Sequence, residues 1–150
     1  MILKGKRGII FGALDQQSIA WKVAEKAHAE GASFVLTNAP IAIRMGNIDE
    51  LATATGATII AADVTKTEDI ENLISQSMQV LGVKLDFVLH SVGMSLNIRK
   101  GKHYTDLDYE HMHKTMDISA MSFHRVLQTC LKQDAINEWG SVVALTYMAA

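Results

Sequence analysis

The chain has 150 residues, 49% of them hydrophobic and 20% charged. That is enough to bury the core of one ordinary domain, and it excludes the disordered and fibrous classes. Fourteen basic and 16 acidic side chains leave a formal net charge of −2 with no basic block, so charge makes no case for nucleic acid or an anionic membrane. The apolar runs are far shorter than a bilayer span, and "MILKGKRG" lacks the apolar centre of a signal peptide. The default location is cytoplasmic.

Residues 8–11 read as a first strand. A helix starts at Ser18, and its apolar stripe of Ile19, Ala20, Val23, Ala24 and Ala27 closes at Gly31. Ser33–Thr37 is a second strand. Asn47 or Asp49 opens a short helix through Leu51 to Gly56, and residues 57–62 make a third strand closed by Asp63. Thr67 is the expected cap of the next helix, with Glu68, Asp69 and Glu71 at the positive end of its dipole and Gly82 at its close. "LDFVLHSVG" gives a fourth strand, followed by the polar loop "NIRKGKHYT". Helical sequence then spans residues 108–137, in two pieces that meet near Asp117, and residues 141–146 form a fifth strand after Gly140.

Five strands, each separated from the next by helix, require parallel pairing through right-handed crossovers. Continuous apolar runs fit strands buried on both faces. The expected architecture is a doubly wound α/β sheet of the Rossmann type, one domain over residues 1–150. A domain stopping on a bare fifth strand would leave an open pairing edge, so further C-terminal strands and helices are expected to be missing.

In such a sheet ligands lie beyond the carboxyl ends of the strands. Gly12 would let the backbone approach a pyrophosphate, and the Ser18 and Ile19 amides sit at a helix N-terminus that favours anions. "GIIFGALDQQSIAW" holds neither G-x-G-x-x-G nor G-x-x-x-x-G-K-[ST], so a plain strand–helix turn capped by Ser18 stays open as a reading. Asp63 is placed to accept from an adenine amino group and the Val64 amide to reach a ring nitrogen; alternatively Asp63 simply opens a loop. The turn at 91–93 either approaches a ribose or only ends its strand. Thr37, Asn38 and Ala39 offer neither the acid common in NAD sites nor the arginine common in NADP sites, and Arg44 lies beyond, so NADH and NADPH both stay open.

Tyr147 ends the last strand, where a phenol either donates to an oxyanion or packs. The six histidines have no metal-ligand spacing, His111 and His113 being split across a helix surface, and no metal is expected. Cys130 fits a small buried apolar residue, and Trp21 an anchor for the first helix. Met112, Met116 and Met121 read as core or interface. Arg99, Lys100 and Lys102 form a basic loop, either solvated or facing an acidic partner.

Taken together, "GIIFGALDQQSIAW", "ADVT", "DFVLHSVGMS", "DISAMSF" and "GSVVALTYMAA" resemble the bacterial enoyl-acyl-carrier-protein reductases of the short-chain dehydrogenase/reductase superfamily, over almost the whole chain. The resemblance implies NADH-dependent reduction of the trans-2 double bond of a fatty acyl chain on acyl carrier protein, in fatty acid biosynthesis. Hydride would reach the β-carbon, and the enolate would be held by a tyrosine phenol and a ribose hydroxyl before protonation at the α-carbon.

On this likeness Gly12, Ser18 and Ile19 hold the pyrophosphate side, Asp63 and Val64 the adenine, and Val92 lies near the ribose. Ser95 contacts substrate through its backbone, and Tyr147 is the first of two active-site tyrosines. A homotetramer is implied. Ala39 departs from the glutamine of many members. The second tyrosine and the lysine of the Tyr-x6-Lys pair would lie beyond Ala150, so this chain is expected to lack turnover by itself. The alternatives are another short-chain ketoreductase, which usually has an N-A-G turn where this chain has "HSVGMS", or a non-catalytic nucleotide-binding fragment.

Overall fold

The computed structural model describes residues 1–97, 101 and 103–146. Each apolar run becomes a strand of one sheet: β1 (Arg7–Phe11), β2 (Ser33–Thr37), β3 (Thr58–Ile59), β4 (Leu85–His90) and β5 (Ile136–Ala144), in the order β3-β2-β1-β4-β5. All four pairings are parallel, as strands returned through helices must be. Ile9 stands beside Val35 on one flank and Val88 on the other, and Phe11 beside Thr37 and His90. The expected doubly wound α/β architecture is therefore present.

Side chains alternate across a strand, so β1 feeds two cores. Ile9 and Phe11 face Ile70, Leu73 and Ile74 of α4 (Thr67–Leu81) and Val126 and Cys130 of α6 (Ser122–Lys132). Ile10 faces the opposite way, toward Ala20, Trp21 and Ala24 of α1 (Ile19–Ala29) and Ile48 and Leu51 of α3 (Ile48–Thr55). Ile9, Ile10 and Phe11 are all fully buried, each side chain contributing roughly 1.5–3 kcal/mol of transfer free energy. Trp21 anchors α1, its Nε1–H donating to Glu25 Oε1 at 2.9 Å. Cys130 is buried as expected, and burial pushes its thiol up to about 11.

Several boundaries differ from the sequence reading, each for a local reason. The third strand keeps only Thr58 and Ile59, although Ile60 N and Ala62 N still donate to Leu36 O and Asn38 O at 3.0 and 3.1 Å. An unforeseen helix, α2 (Pro40–Met45), starts on Pro40, whose fixed φ and missing N–H suit a first helical position. Lys66, not Thr67, is the N-cap of α4. The segment after 108 divides into α5 (Tyr109–Met116), a π-helical turn at Asp117–Met121, and α6, which ends at Lys132 and not near 137. β5 begins at Ile136, five residues before the expected start, because a bulge at Trp139 (φ +62°) shifts its register against β4 between Leu85 and Phe87. Met112, Met116 and Met121 are each more than a third exposed, so these are not core residues.

Candidate functional site

β1 is followed by a return toward β2 and β4 by one toward β5, so the chain leaves their shared carboxyl end in opposite directions. A cleft of about 310 Å³ opens there, at the switch point of the sheet. Its walls are mainly apolar, including Phe11, Leu14, Ile41 and Ile118, with Asn38 and Asp63 among its few polar side chains.

Gly12 borders this cleft at φ +92°, and a Cβ there would lie 1.9 Å from Ser91 O. The glycine is thus required by the close passage of the two strand ends, besides any approach to a ligand. Beyond it, Asp15 Oδ1 accepts from Gln17 N at 2.9 Å and Ser18 N at 3.1 Å. Ser18 occupies the N-cap position, but its hydroxyl does not cap the helix: it donates to Asp15 O at 2.7 Å and accepts from Leu14 N at 3.2 Å. That bonding folds the loop so that the Ile19 and Ala20 amides lead α1 with no carbonyl one turn behind them. Neither Ser18 nor Ile19 lines the cleft itself, and the Ile19 side chain is exposed.

Asn38 escaped the sequence reading as a positive feature. Its Nδ2 donates to Ala13 O at 3.0 Å and its Oδ1 accepts from Ala39 N at 2.9 Å, which ties the end of β2 to the loop after β1. The available signal was a lone amide directly after an apolar strand.

On the same wall, Asp63 Oδ1 accepts from Thr65 N at 3.0 Å and Thr65 Oγ1 at 2.7 Å, and Oδ2 faces Lys66 Nζ at 3.9 Å. Partial burial works to raise the Asp63 pKa. The Thr65 hydrogen bonds and the charges of Lys66 and Arg125 outweigh it, so the carboxyl is held below its ordinary value and stays ionised at neutral pH. Val64 is buried beside it and lines the cleft.

The opposite wall is the loop after β4. His90 is buried between the rings of Phe11 and Phe123, with centroids at 5.9 and 5.4 Å. Its Nε2 lies 2.8 Å from Ser122 Oγ, which donates to Ile118 O at 2.5 Å. Since the serine proton goes to Ile118, the imidazole donates through Nε2–H; burial lowers the His90 pKa and keeps the ring neutral. Within the π turn, Ser119 Oγ accepts from Met94 N at 3.0 Å and donates to Met94 O at 3.2 Å. Ile118 meanwhile lines the cleft. An added Cβ at Gly93 would meet only Ser119 Oγ, at 3.9 Å, so the chain there is open to close approach. Val92 packs half-buried against the core, and Ser95 is half-buried outside the cleft lining.

Tyr147, the expected catalytic residue, and Arg99, Lys100 and Lys102 lie outside the described residues. Among the described residues no cluster of His, Cys, Asp and Glu could hold a metal ion, and no helix is long and apolar enough to cross a membrane.

The sequence profile of the family described as "Enoyl-(Acyl carrier protein) reductase" matches residues 12–150. The chain is 33% identical over 150 residues to enoyl-[acyl-carrier-protein] reductase [NADH] 1 of Rhizobium meliloti, covering 99% of this chain and 54% of that protein. It is 32% identical over 151 residues to enoyl-[acyl-carrier-protein] reductase [NADH] FabI of Rickettsia bellii, covering 99% and 56%. The crystal structure of the FabI–NADH complex from Alistipes finegoldii superposes with a TM-score of 0.94 at 58% identity, over 97% of this chain and 52% of that one. The chain thus spans about half the length of the curated relatives it matches.

Proposed function

The chain belongs to the enoyl-(acyl carrier protein) reductase family, and from that premise we propose that it binds NADH in the cleft at the carboxyl ends of β1, β2 and β4. The whole protein would reduce the trans-2 double bond of enoyl thioesters on acyl carrier protein, in fatty acid biosynthesis. The single observation that carries this reading is the cleft itself, an apolar slot at the switch point of the sheet with an ionised carboxylate at one wall and an open glycine, Gly93, at the other.

The residues present fit a dinucleotide. Gly12 and the Ile19 amide at the start of α1 suit the pyrophosphate side, while the Ser18 amide, expected there too, is taken by Asp15 and leaves Ser18 to shape the loop. Asp63 Oδ1 is engaged by Thr65, which leaves Oδ2 to accept from the adenine amino group beside the Val64 amide. Val92 would lie against the ribose. Bound NADH supplies the hydride. Phe11, Leu14, Ile41 and Ile118 exclude water from the cleft, which strengthens polar contacts inside it. Ser95 would meet substrate through its backbone, and the Tyr147 phenol would donate to the thioester oxygen as charge develops there. Among the described residues no basic side chain lines the cleft beside Ala39, which favours NADH over NADPH. A cytoplasmic homotetramer is part of the same proposal, supported by the exposed methionines of α5 and the π turn.

Fluorescence titration tests the cofactor assignment. Saturable NADH binding is expected, weaker NADPH binding, and about a tenfold loss of NADH affinity in Asp63→Ala, the scale of one charge-assisted hydrogen bond. Absence of saturable NADH binding sinks the reading. For the longer protein, NADH oxidation with a crotonyl thioester in preference to a β-ketoacyl thioester supports enoyl reduction, and the reverse preference makes it a ketoreductase.

A further inference from the structure

Arg125 lies on α6 outside the cleft lining, yet its guanidinium ties together two parts of the cleft wall. Nη1 donates to Val64 O at 3.3 Å, and Nη2 donates to Asp117 Oδ1 at the start of the π turn. Residues eight apart in a regular α-helix are offset by about 80° around its axis. One π turn absorbs one residue and brings that offset to roughly 20°, so Asp117 and Arg125 share a face. The extra residue in the helix thereby lets Asp117 hold the guanidinium on Val64.

The Val64 carbonyl belongs to the peptide unit that joins Val64 to Thr65. The N–H of that same unit donates to Asp63 Oδ1 at 3.0 Å. Arg125 therefore grips the oxygen side of one peptide plane while Asp63 is held by its nitrogen side. A planar unit cannot turn one end without the other. Releasing the carbonyl would free the plane to rotate and take the Thr65 N–H away from the carboxylate.

We infer that Arg125 is a positioning residue for the adenine end of the dinucleotide: through the 64–65 peptide plane it fixes the Asp63 carboxylate without touching the ligand. This rests on the cofactor reading of the cleft. It predicts a loss confined to one half of the ligand, because the 91–94 loop and the start of α1 are held by other bonds.

The test uses the full chain with three probes: NADH, ADP for the adenine side, and reduced nicotinamide mononucleotide for the other. Arg125→Met is expected to weaken NADH and ADP by the same factor, about tenfold, with the mononucleotide within about twofold. Arg125→Lys, which keeps the charge but not the fork, should fall between. If Arg125→Met does not fold, the ADP-to-mononucleotide ratio in Arg125→Lys carries the comparison, with a loss of about threefold in ADP alone. Unchanged ADP affinity, or equal losses for both halves, overturns the inference while leaving the cofactor reading intact. An unsubstituted chain that binds no NADH overturns both.

Discussion

At the residue scale, Gly12 carries a conformational demand and a steric one together. Its φ of +92° lies where a side chain strains the backbone, and the missing Cβ is the space occupied by Ser91 O. Gly12→Ala must therefore push β1 and β4 apart at the mouth of the cleft. A loss of roughly 2–4 kcal/mol is expected in equilibrium urea unfolding, with NADH affinity falling at the same time. A substitution neutral in both measurements would show that the strand ends are free to separate. The place of Gly12, Asp63 and Val64 on the cleft was legible in the sequence because Gly12 directly follows β1 and the other two follow the third apolar run, although β3 itself stops at Ile59. Arg125 was not legible: its link to Val64 joins residues 61 positions apart and depends on a helix irregularity that no side-chain pattern announces. Ser18 was legible in place but not in role, since a hydroxyl before a helix reads as a cap whether it bonds forward or, as here, back to Asp15.

At the scale of elements, the π turn between α5 and α6 is the piece on which the β4 wall depends. It offers Ser119 to Met94 and Ile118 to the cleft, and the pair of His90 and Ser122 holds it against the sheet. Ser122→Ala leaves the His90 Nε2–H buried without an acceptor, which costs about 1–3 kcal/mol. His90→Phe removes the donor as well. The double variant should be less destabilised than the sum of the two single changes, and a denaturant double-mutant cycle measures the difference. Strict additivity would mean that the two side chains do not support one another.

The elements most legible in the sequence were β1, β2 and β4, whose apolar runs are buried on both faces and interrupted at both ends. β5 was misplaced because its first half, Ile136 to Trp139, alternates with polar residues and runs on from a helix. α2 was missed because its six residues, "PIAIRM", are too few to display a period. The break near Asp117 was visible as a change in pattern, although its π character was not.

At the scale of the whole molecule, the strand order places the first strand in the middle of the sheet, with β2 and β3 on one side and β4 and β5 on the other. Ile9 finds Val35 a short distance along the chain but must wait for Val88 to complete its second flank. Time therefore enters through topology: β1, α1 and β2 can associate early as a local unit, while the β1–β4 contact closes a much longer loop and forms late. That late seam runs directly beneath the cleft, where Gly12 meets Ser91. A ligand spanning both walls can engage only after the seam has closed, on the native side of the folding barrier. Saturating NADH should thus act as a latch on the exit and not as a guide on the entry. In stopped-flow denaturant jumps at about a hundredfold excess over Kd, unfolding should slow by about a hundredfold while the refolding rate stays unchanged. A refolding limb that accelerates with NADH would instead put the closure of β1 on β4 among the first events of folding.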